Sequence, residues 1–600
     1  MGIVVETKTL RLEKQNLETK MKDKQKWRLR CAVAFASQLA VLAVLILTNR
    51  LVYATNDDTT MVAIASGGYG SPSQYVVNLH LLLGYLLKFL FTICNGINWV
   101  TVLFVVADMF SVLVLDMVFA SAKQEKTDFV CAAIVLDIAL LIVLAHFTFT
   151  VVAYWAGIAG LIGLSYTFEK NTNDSHRLVI GISSGIALLF CLLIRAETIQ
   201  SLVIVYASYI VVSLLFNRNW KPVVIALAAV CLMVISTKTN FWLNDLNRVQ
   251  KAFLDWGETR SAALDCQAVP YEEEVFTEKG ITYNQYQAIY GAFYYDFDIV
   301  DTETMEALIE LNSPQNRYDF DVAGMLENHF SLWVSIRQLL SFTSLYRIMF
   351  AAVALFYLVF GKKEDYPLVF LTWGSSLAAE CAFYFLRRHL YRVVMPGYLL
   401  AVILILLCCS IDPKKEQKLC SIKIDLKKMS VTLFVLLACG SVGLYIVRGD
   451  YQAWIYSGTQ RAVLDYMEEN DDKVFLAGDI SAFGIDVADS VWNHPGKRGI
   501  WNLIGNWETY SVPYLELMER QGIQDPYNVL YEAIDNDRIL LLTPKGDDYP
   551  AQFSWILGLI EENYHIKARF EKVEDVSSTD TGHHYLQYAV YMLVTLTDAE

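Results

Sequence analysis

The sequence predicts a mostly α-helical, polytopic membrane protein with about eleven transmembrane helices, one further helix at the outer membrane surface and a C-terminal extracytoplasmic α/β domain. Hydrophobic residues make up 55% of the 600 residues and charged residues only 18%, and the mean hydropathy is +0.36. A bilayer core of about 30 Å requires about 20 apolar residues per helix, and many windows of the sequence meet that requirement. The charges are segregated, because Lys and Arg collect in short loops while Asp and Glu dominate two long hydrophilic regions.

This segregation divides the chain into five parts. Residues 1–30 form a basic, cytoplasmic tail, 31–237 and 345–447 hold the apolar spans, and 238–344 and 448–600 are the two hydrophilic regions. The hydrophilic regions lack a basic face, which excludes nucleic acid as a partner. The eleven cysteines lie mostly within apolar spans and form no CxxC pair, so the sequence predicts neither a disulfide framework nor a cysteine metal site.

Eleven apolar windows predict the spanning helices, and the first follows a charged tail that lacks the features of a cleavable signal peptide. Their predicted bounds are 31–48, 98–120, 128–146, 149–168, 178–194, 198–216, 221–237, 345–361, 367–386, 393–411 and 429–447. In the hydrophilic regions, the pattern predicts helices over 302–311, 462–469 and 553–563, and strands over 474–477, 539–543 and 585–594.

The apolar segment 77–97, within the outer loop 50–97, decides the topology. If it does not cross the membrane, every short basic loop after the tail falls on the cytoplasmic side, including the six-lysine loop 412–428. If it crosses, all of these loops move outside, against the positive-inside rule. His80 and Lys88 also suit an interfacial helix better than a spanning one. The sequence therefore places 77–97 at the outer membrane surface and the C-terminal region outside.

This topology brings polar residues from several span ends to one outer surface. An acidic pair follows the first span, and further carboxylates, histidines and arginines end or follow later spans. The candidate residues are Asp57, Asp58, His146, Arg195, Glu197, Glu380, Arg387, Arg388, His389 and Arg392. Glu380 lies inside an apolar span, where an ionisable side chain indicates a function by default.

Such residues match the needs of glycosyl transfer from a lipid phosphate. A carboxylate removes the proton of the acceptor as the anomeric carbon is attacked. Arginines bind the phosphate and stabilise it as it leaves. Arg195, Arg387, Arg388 and Arg392 are the predicted phosphate ligands, and a second group is predicted to contact substrate: His146, Glu197, Glu380 and His389.

A basic-tailed span, an outer loop that opens with an acidic pair, a Gly/Pro turn (66–73) and an interfacial helix together resemble the GT-C superfamily. Its members include protein O-mannosyltransferases and the aminoarabinose transferases that act on lipid A. The resemblance implies that Asp57, with Asp58 second, is the catalytic residue, and that the sugar comes from a polyprenyl-phosphate carrier in the membrane. The acceptor would be an envelope polysaccharide, glycolipid or protein.

The run RRHLYRVVMP is similar to an Arg-rich, Pro-terminated late segment of the superfamily, which implies Arg387, Arg388 and Arg392 as phosphate partners. The next outer loop offers His146 where members often have a second acid. No cofactor and no metal ligand set is therefore predicted, and a divalent cation is left open.

Each prediction has an alternative. Asp57 and Asp58 are also suited to cap the helix that begins near Thr59. Arg195 and Glu197 are spaced for a local ion pair. Glu380 is placed to pair with one of the arginines that follow its span, Arg387, Arg388 or Arg392. At the level of function, the rival class is a transporter or flippase of an envelope glycolipid or polysaccharide precursor. A large outer domain and the lack of an inverted repeat argue against that class. A membrane scaffold without catalytic activity is a third hypothesis.

Overall fold

The computed structural model describes residues 2–48, 50–123, 125–169, 176–264, 270–311, 344–385, 390–421, 425, 428–442, 463, 465–477, 491–494, 503–504, 507–545, 551–576 and 587–596. The helices, in chain order, are α1 (Gly2–Leu47), α2 (Asn56–Ser66), α3 (Leu81–Ile93), α4 (Trp99–Ala122), α5 (Lys126–Ala145), α6 (Phe149–Glu169), α7 (Arg177–Arg195), α8 (Thr198–Leu215), α9 (Lys221–Asn244), α10 (Arg248–Leu264), α11 (Glu273–Glu278), α12 (Tyr283–Tyr290), α13 (Thr302–Leu311), α14 (Leu345–Phe360), α15 (Tyr366–Phe385), α16 (Tyr391–Cys408), α17 (Pro413–Ser421), α18 (Lys428–Val442), α19 (Val512–Arg520), α20 (Val529–Glu532) and α21 (Ser554–Tyr564). The strands are β1 (Val474–Ala477), β2 (Leu503–Ile504), β3 (Ile539–Lys545), β4 (Ala568–Val576) and β5 (Gln587–Thr595).

Among the described residues, eight helices are long and apolar enough to cross a membrane. They are the segment Asp23–Leu47 of α1, α4, α5, the segment Phe149–Phe168 of α6, α7, α8, α9 and α16. Helices also occupy the three other predicted positions, but they are not among these eight. Helices α14 and α18 are shorter, and α15 carries hydroxyl groups and Glu380. The chain is therefore a multi-pass, mostly helical membrane protein, with eight spans supported by length and composition. The tail and the first span, predicted as separate parts, form one helix of 46 residues.

Helix α6 lies at the centre of the bundle, and almost all of its residues are buried. Glycines on the face toward α7 permit this close packing, as is common where membrane helices touch. A Cβ atom at Gly160 would lie 2.9 Å from the Cβ of Leu188, and one at Gly163 would collide with the hydroxyl of Ser184. The small residues thus set the distance between the two helices.

Basic side chains gather at the end of the bundle away from α2. Lys123 donates to the Cys409 carbonyl at 3.2 Å, Lys221 to the Phe168 carbonyl at 2.8 Å, and Lys415 to the Val359 carbonyl at 2.9 Å. These carbonyls belong to the C-terminal ends of α16, α6 and α14. Cations are favourable there because the last carbonyls of a helix have no partner within the helix and carry partial negative charge.

Helix α3 lies at the opposite end of the bundle, near the start of α4. Its 13 residues span about 20 Å, less than the hydrocarbon core of about 30 Å. The His80 ring accepts a hydrogen bond from the Leu82 backbone N–H at 3.2 Å, and the His80 backbone N–H donates to the Leu193 carbonyl at 2.9 Å. The side-chain oxygen of Asn240, near the end of α9, accepts from the Leu81 N–H at 2.8 Å. These contacts hold the start of α3 against the ends of α7 and α9.

A five-stranded mixed sheet forms the centre of the C-terminal region, in the order β2–β1–β3–β5–β4. Strand β1 pairs in parallel with β2 and β3, whereas β5 pairs antiparallel with β3 and β4. The predicted strands at 474–477, 539–543 and 585–594 correspond to β1, β3 and β5, and the predicted helix 553–563 corresponds to α21. In the predicted helix 462–469, the described positions 463 and 465–469 are helical, whereas positions 462 and 464 lie outside the described residues, as do positions 585 and 586 of the third predicted strand.

The hydrophilic region after α9 packs directly on this sheet. The Tyr295 hydroxyl accepts from the Ala477 N–H at 2.6 Å, and the Phe297 N–H donates to the Tyr527 carbonyl at 2.8 Å. The Tyr510 hydroxyl donates to the Tyr294 carbonyl at 2.8 Å. The described parts of the two hydrophilic regions therefore share one core, which stands over the α3 end of the bundle.

Candidate functional site

The acidic pair lies in the first turn of α2, close to where α1 ends and α4 begins. This helix begins at Asn56, with Thr55 as its N-cap residue, and no side-chain hydrogen bond caps it. Asp57 and Asp58 therefore lie inside the helix and do not cap a helix that begins near Thr59. Carboxylates in a first turn still stabilise the helix through its dipole.

Asp58 ties α2 to the start of α6. Its side chain is fully buried. One carboxylate oxygen accepts from the Phe149 N–H at 2.8 Å and the other from the Thr55 hydroxyl at 2.7 Å. Burial raises the pKa of Asp58 to about 7, although hydrogen bonds from Phe149, Thr55 and Thr148 oppose the rise. Because both oxygens are engaged within the protein, Asp58 is the less suitable of the two acids for taking a proton from a substrate.

Asp57 makes the contact that defines the candidate site. Its carboxylate lies 3.3 Å from the guanidinium of Arg392, in the first turn of α16, and each side chain is 21% exposed. The two residues are 335 positions apart in the chain. A half-buried acid and a half-buried arginine thus meet at the end of the bundle where α3 lies.

Arg195, the last residue of α7, is the second arginine of this end. Its guanidinium donates to the Thr150 hydroxyl at 2.7 Å and lies over the Phe149 ring at 5.0 Å from the ring centre. The charges of Glu197, Arg392 and Asp57 all act on it. Two guanidinium groups that repel each other near one carboxylate favour binding of a further anion.

His146 follows α5 and packs on the residue before Arg392. Its ring lies 4.4 Å from the Tyr391 ring, measured between centres. Burial lowers the pKa of His146 to about 4. The imidazole is therefore neutral at pH 7 and suits hydrogen bonding to a hydroxyl better than charge pairing with a phosphate.

The remaining predicted residues differ in position. Glu197 is exposed at the start of α8, where its charge reaches Arg195. Arg387, Arg388 and His389 lie outside the described residues, so their roles stay predictions.

Glu380 is engaged elsewhere, between α14, α15 and α16. It forms an ion pair with Arg347 and accepts from the Tyr398 hydroxyl at 2.6 Å. Its ion-pair partner among the described residues is thus Arg347, and of the late arginines Arg392 pairs with Asp57 instead. Arg347 was not among the predicted residues, although a single arginine in an otherwise apolar run was a signal for such a partner.

Sequence reasoning also missed a carboxylate from the C-terminal region. Glu508 is 4% exposed, accepts from the Tyr69 hydroxyl at 3.1 Å, and lies near enough to Asp57 and Arg260 for their charges to act on it. Burial raises the pKa of Glu508 to about 7. A sequence separation of 439 residues between Tyr69 and Glu508 explains why no local pattern pointed to it.

No protein-family model matches this chain, and neither does any curated protein or any solved structure. The membrane character rests on the apolar helices, and the GT-C resemblance stays an expectation drawn from the residues named above.

Within the described part of the chain, no three His, Cys, Asp or Glu side chains come together so that they could hold a metal ion. The groups that lie at this end of the bundle are one half-buried carboxylate, two arginines and a neutral histidine. Together they offer a proton acceptor beside an anion-binding pair.

Proposed function

We propose that the protein is an integral-membrane, inverting glycosyltransferase of the GT-C type. It moves a sugar from a polyprenyl-phosphate donor to an extracytoplasmic acceptor of the cell envelope, which is a polysaccharide, a glycolipid or a protein. The observation that carries this proposal is the contact between Asp57 and Arg392, with Arg195 within range of both charges.

The reaction needs one proton acceptor and a stabilised leaving phosphate. The hydroxyl oxygen of the acceptor attacks the anomeric carbon, the bond from that carbon to the phosphate oxygen breaks, and the hydroxyl proton passes to Asp57. Polyprenyl phosphate leaves with one more negative charge than it had in the donor. Arg195 and Arg392 stabilise that charge, which is greatest as the bond breaks.

The proposed orientation rests on the two ends of the bundle. Lysines bind helix carbonyls at one end, and a cytoplasmic location of that end follows the positive-inside rule. The end with Asp57, α3 and the sheet domain is then extracytoplasmic. Helix α3 exposes Leu82, Tyr85, Leu86 and Phe89, a surface suited to the lipid interface where a polyprenyl chain would enter.

The test is sugar transfer by the purified protein in lipid vesicles, with radiolabelled polyprenyl-phosphate sugars as donors and extracted envelope glycans as acceptors. Asp57→Asn should lower the transfer rate about 10²–10⁴-fold without changing the amount of folded protein. Asp255→Asn is the matched control, because Asp255 is exposed on α10 with a local lysine partner. Wild-type rates in Asp57→Asn would show that the assigned base is wrong.

Transport of a lipid-linked precursor is the second candidate, and one observation favours it. Asp108 lies within the span α4, is fully buried, and finds no hydrogen-bond partner for either oxygen among the described residues. Carriers use such intramembrane acids to bind protons or cations. If Asp108→Asn stops the movement of a fluorescent lipid-linked sugar across vesicles while Asp57→Asn does not, transport replaces transfer as the function.

A further inference from the structure

The turn after α2 and the C-terminal region meet at two contacts. The Tyr69 hydroxyl donates to Glu508 at 3.1 Å, and the Arg520 guanidinium donates to the Gly70 carbonyl at 3.0 Å. The turn takes its shape from backbone that only glycine adopts easily, since φ is +91° at Gly67 and +130° at Gly70. The sheet domain is thus fixed directly over the segment that carries Asp57.

Glu508 reaches this junction with only one of its oxygens in use. Tyr69 bonds the first oxygen, whereas the second oxygen is buried and has no hydrogen-bond partner among the described residues. A buried acceptor without a partner is costly, because it has lost its hydrogen bonds to water. Such an atom is expected where a ligand supplies the missing hydrogen bond.

Two hydrogen-bond donors near Glu508 are also buried without a partner among the described residues. Arg260 of α10 acts on the charge of Glu508, and its Nε is buried without a hydrogen-bond partner in the described part of the chain. The indole N–H of Trp507, the preceding residue, is likewise buried and unpaired there. The guanidinium of Arg260 lies over the Trp256 ring, 5.7 Å from its centre, which holds it in place.

We propose that Glu508, Arg260 and Trp507 bind the ring hydroxyls of the sugar carried by the lipid-linked donor. This inference rests on the proposed function and extends it to the transferred sugar. A sugar hydroxyl is both a donor and an acceptor, so neighbouring hydroxyls satisfy one carboxylate oxygen and two N–H groups at once. The rings of Trp256, which lies against Arg260, and of Tyr69, which bonds Glu508, add aromatic groups of the kind that line sugar sites.

The positions of Arg195, Arg392 and Asp57 indicate that the sugar of the donor binds at Glu508, Arg260 and Trp507. Arg195 and Arg392 receive the phosphate, and Asp57 must lie beside the anomeric carbon to act as base. Glu508 is within range of the charge of Asp57 but belongs to the sheet domain above it. In this arrangement, the ring hydroxyls of the sugar attached at that anomeric carbon are the groups of the donor that reach Glu508. Glu508 therefore discriminates a glycosylated carrier from the bare carrier, which has no hydroxyl there.

The experiment measures equilibrium binding by the full chain in detergent micelles. The probes are polyprenyl phosphate alone and polyprenyl phosphate carrying mannose, glucose, galactose or arabinose. Wild type should bind at least one glycosylated carrier more tightly than the bare carrier. Glu508→Gln and Trp507→Phe should each weaken that binding at least tenfold and leave binding of the bare carrier within twofold. Glu519→Gln, an exposed acid on α19, should change neither.

The outcomes separate this inference from the proposed function. If Glu508→Gln keeps the wild-type preference, or if wild type binds bare and glycosylated carriers equally, the sugar site is wrong and the glycosyltransferase stands. If wild type binds none of the probes, the proposed function is overturned together with the inference that rests on it. Because the bare carrier reports folded protein within each variant, unfolding of Glu508→Gln cannot be mistaken for loss of the sugar site.

Discussion

Arg347 of α14 and Glu380 of α15 form an ion pair inside the helix bundle, where their side chains are 8% and 0% exposed. Tyr398 of α16 donates its hydroxyl to the other carboxylate oxygen at 2.6 Å. Three helices are thus joined by one matched charge pair and one hydrogen bond. A buried pair of this kind stabilises the fold only while both partners are present, because each charge alone has lost its water.

Removing one partner of this pair should destabilise the protein more than removing both charges. Arg347→Met leaves Glu380 without its cation, and we expect a loss of about 3–5 kcal/mol in the free energy of unfolding. Adding Glu380→Gln removes the second charge and preserves an acceptor for Tyr398, so stability should partly return. Denaturant unfolding in micelles measures both variants. Lys279→Met, which breaks the exposed pair with Glu310, is the control and should leave stability unchanged. Additive losses in the double variant would contradict a matched pair.

The buried carboxyl of Asp58 should make stability depend on pH. Its pKa is raised by burial from an ordinary value near 3.8 to about 7 in the folded chain. The folded state therefore binds the proton more tightly than the unfolded state. The contribution of Asp58 to the free energy of unfolding is complete below about pH 4 and is lost as pH rises through about 7. The change amounts to up to about 4 kcal/mol. In Asp58→Asn, this decrease should be absent.

Melting temperatures between pH 4.5 and 8 in micelles test this prediction. The difference between wild type and Asp58→Asn isolates Asp58, since Asp57, His146 and Glu508 are present in both proteins. Asp255→Asn serves as the matched control and should retain the wild-type slope. A difference between wild type and Asp58→Asn that stays constant across the range would mean that Asp58 is ionised in the folded protein throughout.

Arg392→Lys should weaken the binding of phosphate without changing the stability of the fold. Lysine keeps the positive charge near Asp57 but loses the planar fork that binds two oxygens at once. We expect affinity for polyprenyl phosphate to fall about tenfold or more, equivalent to at least about 1.4 kcal/mol, with little change in melting temperature. Arg569→Lys, an exposed position on β4, should change neither quantity. Unchanged affinity in Arg392→Lys would remove Arg392 from the phosphate site.

Local patterns predicted elements wherever apolar residues were continuous or periodic. The segment Thr302–Leu311 is α13 with both bounds as predicted, and the four apolar residues of β1 are all buried in the sheet. Strand β4 escaped prediction because five of its nine residues are charged and all five are exposed at the sheet edge. An edge strand covered with charge lacks the alternation of apolar and polar residues that identifies strands in a sequence.

The candidate site was predictable in its residue types and less so in its contacts. Loop charges and span ends sufficed to bring Asp57, Arg195 and Arg392 to one surface. Sequence could not distinguish Asp58, with both oxygens bound, from Asp57, which meets an arginine. Nor could it find Glu508, because a carboxylate in a soluble region has no local feature that marks it as buried. Such pairings depend on how distant elements pack.

Labelling of single introduced cysteines should decide the topology on which the site depends. Thr92→Cys lies at the exposed end of α3, and Lys126→Cys lies at the opposite end of the bundle, where α5 begins. A maleimide that cannot cross membranes should label position 92 in intact cells and position 126 only after permeabilisation, because the positive-inside rule predicts a cytoplasmic location for the lysine-rich end. Peptide mapping by mass spectrometry distinguishes both sites from the native cysteines, and Glu519→Cys on the sheet domain should follow position 92. Labelling of position 126 in intact cells would invert the bundle and place Asp57, Arg392 and Glu508 in the cytoplasm, where polyprenyl-linked sugars of the outer leaflet cannot reach them.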